Sequence, residues 1–489
     1  MKRESKLTQP MLFLATLLIF LFVAGEAAAF SLLDGKLDIR GSVQQTFNYR
    51  TEQDVRDVEI SSFRTVGRSE IVFKMLDCPD RSITFHSNAH YFYDAAMDID
   101  HDQRHAIAFE AGRKNYRYFN RPRSPNDWLT EAYLDIKYEN FFQLKLGKQL
   151  VSWGETAEAR VADLINPLDT AYLIAFPDWE DYKLGLWMAR FFITPKNLWQ
   201  DMYFEFLIIP QFMAQRLPPA GSGLFFGSPQ TAGSTQMVLD KQRRDSPEQF
   251  SLEDSEVGLR IRGHARIGQG VDWALSNFYT RLDSPIIDGQ QGFNKLIFMQ
   301  LGLPVKGKIF AYPHYNSTAF TFATTSESLG STIKGELVYN TNKKYQYGTY
   351  EVKERDLVAG ALTISKDIKV PYLSQMNRET AYSCSLTWYQ YYMPNFKNDG
   401  GVYIRGETGT QSNLSKYALS ISTSFFFGTL IPYFNLALDT SNGTSTLVGG
   451  ATYQPGDHWS WGLSYQQLNH QGIGKYQNQI ISSMRYEFW

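Results

Sequence analysis

Residues 479–488 alternate between two chemically different faces, and this limits the fold more than any other feature of the chain. Ile480, Met484, Tyr486 and Phe488 fall on one side, with Gln479, Ser483, Arg485 and Glu487 on the other. Successive side chains of a β-strand point to opposite faces, so one face here is oily and the other wet. A strand buried on both faces would not carry Arg485 and Glu487. What remains is a half-exposed sheet of a soluble domain, or a barrel wall that separates lipid from a polar lumen. The rhythm recurs upstream. Over residues 37–49, Leu37, Ile39, Val43, Phe47 and Tyr49 oppose Asp38, Arg40, Gln44 and Asn48. Over residues 83–93, Ile83, Phe85, Tyr91 and Tyr93 oppose Thr84, His86, Asn88 and His90. Leu134, Ile136 and Tyr138 precede a break at Glu139-Asn140, and Phe142, Leu144 and Leu146 follow it, the pattern of a hairpin with a tight turn.

The other end of the chain reads as an export signal. Lys2, Arg3 and Lys6 give a positive region, residues 11–24 an apolar core, and Ala27-Ala28-Ala29 a small-residue cleavage site, so residues 1–29 are expected to be a cleaved signal peptide. No later apolar run is long enough for a spanning helix. Aromatic residues make up 15% of the chain while mean hydropathy is only -0.33, the combination that interfacial girdles and alternating strands produce. A net charge of -2 gives no argument for nucleic acid. Cys78 and Cys384, far apart in the sequence, are too few for a disulfide framework and are expected to stand alone. The terminal strand, with Tyr486, Phe488 and Trp489 at its end, resembles the assembly signal of bacterial outer-membrane barrels. That resemblance implies the bacterial outer membrane as location, its lipid as surroundings and the barrel assembly machinery as a partner.

The resulting expectation is an all-β fold: one transmembrane antiparallel β-barrel over residues 30–489, of about 16 strands with roughly 14 to 18 in range. Two stretches break the strand rhythm. In residues 155–179, Ala157, Val161, Leu164 and Ile165 recur at helical spacing until Asn166-Pro167, which predicts a short helical insert. Irregular or helical backbone at membrane depth must be buried in protein or line water, so the insert is expected in the lumen. Residues 217–245, rich in Pro, Gly and Ser and then basic, predict a long exposed loop.

The run Gly147-Lys148-Gln149-Leu150-Val151-Ser152-Trp153-Gly154-Glu155, followed by Ile165-Asn166-Pro167-Leu168-Asp169, resembles the domain of unknown function 1302 family of proteobacterial outer-membrane proteins. Further matches follow in order, among them Glu256-Val257-Gly258-Leu259-Arg260, Tyr312-Pro313 and Gly335-Glu336-Leu337. The resemblance implies a large barrel, often associated with an RND-type exporter and a periplasmic lipoprotein-like partner. Physically, Gly154 permits a sharp exit from a strand, Trp153 can anchor on the wall, and Glu155, Asn166 and Asp169 can cap chain ends or bond basic groups. Together with Pro167 these are the candidate plug or gate residues.

No catalytic motif is present: the chain lacks a Gly-x-Ser-x-Gly elbow, a phosphate-cradling loop and a His-Glu-x-x-His pair. His86 and His90 share one strand face, more in the manner of lumenal hydrogen-bonders than of a metal site. No cofactor and no enzyme activity are expected. The leading reading is a channel or transporter for hydrophobic or amphiphilic solutes that works with periplasmic and inner-membrane partners. Two rivals stay open. One is a general porin for small polar solutes, which needs an open constriction, and the other is a barrel that sheathes a partner such as a multihaem cytochrome.

Overall fold

A computed structural model describes residues 30–51, 59–99, 120–122, 124–156, 160–171, 179–195, 202–217, 235–247, 249–347, 351–370, 381–394, 396, 412–440, 443–469 and 478–488. Residues 1–29, expected to be a signal peptide, and Trp489 lie outside them. The first strands are β1 (Phe30–Leu32), β2 (Leu37–Arg50), β3 (Ile60–Cys78), β4 (Arg81–Asp94), β5 (Leu129–Tyr138), β6 (Phe142–Gln149) and β7 (Leu186–Ile193). Next come β8 (Tyr203–Ile209), β9 (Glu256–Ala265), β10 (Val271–Arg281), β11 (Ile286–Ile287), β12 (Phe310–Ala311), β13 (His314–Ser326) and β14 (Ser331–Tyr347). The last are β15 (Glu351–Ile368), β16 (Tyr382–Tyr392), β17 (Asn413–Ser422), β18 (Leu430–Asp439), β19 (Thr444–Tyr453), β20 (Trp459–Asn469) and β21 (Gln479–Phe488).

Each strand from β2 to β10 and from β13 to β21 pairs antiparallel with its neighbours, and β21 closes on β2 from Gly41↔Phe488 to Arg50↔Gln479. The result is a closed 18-strand barrel. β1 pairs only with the start of β2 and prolongs the row of β21 beyond Phe488. Eighteen exceeds the expected value of about 16, and short strands such as β7 and β8, 8 and 7 residues long, carry too little alternation to stand out. β11 and β12 form a separate two-stranded sheet outside the wall.

The alternation sorts inside from outside. Leu337 and Leu463 are 57% and 61% exposed on the outer face, with Phe320, Leu386, Trp388 and Tyr417 around them, whereas Glu336, Val338, Thr387 and Ala418 are buried inside. A closed wall of this kind, with every strand edge paired and an apolar outer band, belongs in the bacterial outer membrane. No described helix is long and apolar enough to cross a membrane. Short turns and both ends of the barrel chain share one rim, the periplasmic one by the rule for such barrels. There Trp459 stacks near Trp461 at 6.1 Å and meets Tyr486 at 4.8 Å, while Trp461 stacks on Tyr453 at 5.6 Å, an aromatic girdle at the membrane edge. Cys78 and Cys384 are free thiols.

The terminal strand closes against a glycine. A β-carbon on Gly41 would lie 2.3 Å from the Phe488 ring and 2.5 Å from the Arg68 carbonyl, so the ring occupies the space a side chain would need. Gly41→Val is therefore expected to obstruct the β2–β21 seam and sharply reduce the heat-modifiable, folded band on unheated gels. An unchanged folded fraction would show that closure does not need this contact.

Two expectations need correction. Within residues 155–179 the described stretch 160–171 is irregular, with isolated bridges Leu168↔Lys183 and Asp169↔Arg216; residues 157–159 and 172–178 lie outside the described ones, and among the described residues a 3-10 turn follows at Trp179–Tyr182. Helix formation fails because the backbone N–H groups and polar side chains are bonded to the wall instead. The helical spacing of Val161 and Ile165 reflects two targets: Val161 packs with Ala319, Val338, Ala359 and Ala361, Ile165 with Leu186, Met188 and Leu207.

The second correction concerns residues 217–245. Of that expected loop, Thr235–Asp245 is an α-helix, and residues 218–234 lie outside the described ones. Its Met237 and Val238 pack on Met299, Ile309 and Phe310. Its buried Asp245 accepts from the backbone of Ile309 and Phe310 at 2.7 and 3.1 Å. A second helix, Gly289–Gln300, joins it beside the β11–β12 sheet, and the group forms a cap on the extracellular rim.

Candidate functional site

After β6 the described residues 150–156, 160–171 and 179–185 stand off the wall, which the chain rejoins at β7. Their exit and return are joined by Asn166, which is fully buried. Its Oδ1 accepts from Val151 N at 2.7 Å, while Nδ2 donates to the carbonyls of Gln149 and Leu184 at 3.1 and 2.9 Å. One side chain thus acts as the missing strand partner where β6 and β7 separate. Pro167 lends its carbonyl to Leu184 N at 2.8 Å. Asn166→Ala leaves three buried backbone groups without these partners, at about 1–3 kcal/mol each before relaxation. The variant is expected to lose protection of the Val151 and Leu184 region in hydrogen exchange while the barrel itself stays closed. Unaltered exchange there would remove Asn166 as the bridge.

Trp153 is buried against the wall. Its ring meets Phe278 edge-on at 6.0 Å, and a β-carbon on Gly258 would come within 2.7 Å of it, so the bare glycine opposite makes room for the indole. The Arg260 guanidinium lies 5.9 Å from the same ring. Arg260 and Arg262 also approach Glu155 at 3.7 and 3.9 Å. Asp169 takes Arg216 at 2.6 Å, and Arg216 reaches Asp127 at 2.5 Å on its other side. Asp163 holds Lys183 at 2.8 Å and Arg160 at 3.3 Å, and Lys183 also bonds Ser152.

The residue that sequence reasoning missed is Glu336, on the inner face of β14. It is 5% exposed. Its Oε1 accepts from the backbone N of Glu155 and Thr156 at 2.6 and 2.7 Å and from the Thr156 hydroxyl at 2.8 Å, and its Oε2 accepts from Ala162 N at 2.8 Å. Converging N–H groups around one carboxylate make a nest from the insert's own backbone. Gly154 sits under this grip: a β-carbon there would lie 3.0 Å from Glu336 Oε1. The nearest sequence signal was the Gly335-Glu336-Leu337 match, which said nothing of a partner some 180 residues away.

At its far end the segment reaches the opposite wall. Asp181 meets Arg68 of β3 at 2.9 Å. The neighbouring Tyr182 has its phenol pushed up by burial, with the adjacent Arg64 opposing the shift. β3 and β14 stand nine places apart in either direction round the ring, on opposite sides. The segment is therefore a strut across the lumen, held at Glu336, rooted at Asn166 and touching down at Arg68. Beneath it, toward the periplasm, a cavity of about 740 Å³ is lined by Arg40, Arg68, Glu70, Glu131, Arg485 and Phe488 among others. His90 lines it too, and His86 instead stacks on Tyr133 at 4.9 Å. Among the described residues no group of three or more His, Cys, Asp or Glu side chains is placed to hold a metal.

A closed barrel whose lumen is crossed by its own loop is an outer-membrane channel in architecture. Solved structures of similar outline are barrels of the same membrane. OpdK of Pseudomonas aeruginosa, solved with vanillate, is 8% identical, with 93% of this chain and 99% of that one covered and a TM-score of 0.48. The channel DcaP of Acinetobacter baumannii is 10% identical, with 94% and 100% covered at a TM-score of 0.42. OmpF of Salmonella typhi, in complex with daunomycin, is 10% identical, with 92% and 97% covered at 0.42. No curated protein matches the sequence. The model of the family described as protein of unknown function (DUF1302) matches residues 11–485, and the chain belongs to that family.

Proposed function

We propose that the barrel is an outer-membrane channel for hydrophobic or amphiphilic solutes, working with periplasmic and inner-membrane partners. The strut carries this reading. A general porin for small polar solutes works through an open aqueous constriction, whereas here the segment between β6 and β7 is held at Glu336 on one side of the lumen, through Thr156, and at Arg68 on the other, through Asp181. The cavity below the strut mixes arginines and carboxylates with Leu150 and Phe488, a lining that suits a solute with one charged and one apolar end. Family resemblance is the support for the partners, an RND-type exporter and a periplasmic lipoprotein-like protein. The terminal strand supports dependence on the barrel assembly machinery, with outer-membrane lipid against the outer band.

Single-channel recording in planar bilayers tests the solute class. Ionic conductance is expected well below that of an open porin, and alkyl sulfonates added below their micellar range are expected to block it. Block should strengthen with chain length, approaching about 0.8 kcal/mol per buried methylene. Conductance like that of an open porin, with block independent of chain length, would replace this reading with the polar-solute one.

A further inference from the structure

We infer that the inner face of β16–β20 is a binding track for saccharide groups. This deepens the reading above by naming the head group of the amphiphile. Register defines the inner face. Ser385, Ser420, Asn435, Val448 and Gln466 lie side by side in one row across the five strands, continued by Gln479 of β21; Ser385, Ser420 and Asn435 are half-buried and form the part of the row open to a ligand, while Val448, Gln466 and Gln479 are buried beneath their neighbours. Leu386 and Tyr465, next to Ser385 and Gln466 in the sequence, and Leu438 of β18 are exposed on the lipid side. Along all inner positions of β16–β20 the charged residues are Lys416 and Asp439, paired with each other at 3.2 Å near the extracellular ends. The adjoining wall is different in kind: β21, β2 and β3 turn Arg485, Glu487, Arg40, Arg64, Arg68 and Glu70 inward. The lumen is charged on one side and neutral on the other.

The neutral side is also not oily. Ser420 donates to Asn435 at 2.6 Å, and Thr387 on β16 shares a 2.8 Å hydrogen bond with Thr363 of β15. An acyl chain laid over the half-buried Ser385, Ser420 and Asn435 would cut off from water the donor and acceptor capacity that their bonds to one another leave over, at a cost of about 1–3 kcal/mol for each group left unsatisfied. A sugar satisfies them, because its hydroxyls both donate and accept. Aromatic surface is supplied as well. Tyr433 pairs with Gly450 of β19, where an added β-carbon would lie 2.8 Å from the tyrosine hydroxyl, so the ring extends along the wall over bare glycine. Tyr389 and Tyr391 meet edge-on at 6.4 Å and pack against the cluster around Val161 and Ala162, so the track begins where the strut ends. A flat ring among neutral hydrogen-bonding groups matches the apolar face and hydroxyl rim of a pyranose.

Titration of the purified barrel in lauryldimethylamine oxide with maltohexaose, followed by saturation-transfer NMR and calorimetry, tests the inference. Saturable binding is expected. Tyr433→Ala should weaken it about tenfold, the worth of one ring contact, and Tyr433→Phe should leave it within about twofold. Asn435→Ala should weaken it severalfold, and Arg68→Ala on the charged wall should not change it. Heat-modifiability establishes that each variant is folded. If Tyr433→Ala fails that control, Asn435→Leu with Thr446→Val on the same face carries the test. Absence of saturable binding, indifference to both sets of wall substitutions, or loss through Arg68→Ala would each overturn the track. The sulfonates of the previous experiment carry no sugar and maltohexaose no tail, so either reading can fail while the other stands.

Discussion

Replacing Glu336 with alanine is expected to free the strut and raise single-channel conductance severalfold. Four hydrogen bonds converge on this one buried carboxylate, and bonds to a charged group contribute about 1.5–3 kcal/mol apiece. They share an acceptor and do not add, so the loss is on the order of 4 kcal/mol. The touchdown at Asp181–Arg68 cannot compensate. Its carboxylate is 37% exposed to lumenal water, and such pairs contribute roughly 1 kcal/mol or less. Glu336→Gln keeps the shape but replaces an anion by a neutral amide with one acceptor, and should fall between wild type and alanine. Gly154→Val should act in the same direction, since its side chain enters the space 3.0 Å from Glu336 Oε1. Planar-bilayer conductance and uptake of a small polar dye by whole cells measure the effect. If Glu336→Ala conducts like wild type, the strut is held by other contacts and the carboxylate is incidental.

What the sequence disclosed and what it hid divide along the range of the interactions. β21 was legible because its alternation is local: Ile480 and Met484 face lipid and Gln479 is buried inward, as the two-residue period requires. The β5–β6 hairpin was legible for the same reason, with Glu139 in the left-handed region at φ 46° between paired Tyr138 and Phe142. β17 illustrates the limit. In the sequence, Tyr417, Leu419, Ile421, Phe425 and Phe427 share one phase of alternation, yet the strand ends at Ser422, since Phe426 and Phe427 adopt φ of 54° and 57° in the turn. Within the strut, Trp153, Asn166 and Asp169 stood out as motif residues. Their pairing could not be read, because Gly258, Leu184 and Arg216 are brought to them only by closure of the ring. The helix expected from Val161, Leu164 and Ile165 failed on the same account. A periodic pattern cannot tell one continuous apolar face from two walls approached in turn.

Asp163→Ala should have the larger effect on the order of the strut itself. Lys183 has 1% of its side chain exposed and lies 2.8 Å from the Asp163 carboxylate, while Arg160 approaches the same oxygen at 3.3 Å. Removing the anion takes a close counter-charge from a buried ammonium in a crowded place. Breaking such a pair from one side costs about 3–5 kcal/mol, more than an irregular segment can absorb locally. The expected outcome is a closed barrel whose strut has come away, with rapid trypsin cleavage after Arg160 or Lys183 and the lumen opened to dye. Chemistry can be separated from simple damage by removing both partners. Asp163→Leu with Lys183→Met replaces the pair by apolar side chains of similar size, and such exchanges are often neutral or stabilising. The double variant should regain most of the protease resistance that Asp163→Ala loses. Resistance of the single variant equal to wild type would mean that the Lys183 charge is adequately met without Asp163, and the strut would then depend on its other contacts, chiefly those of Glu336 and Asn166.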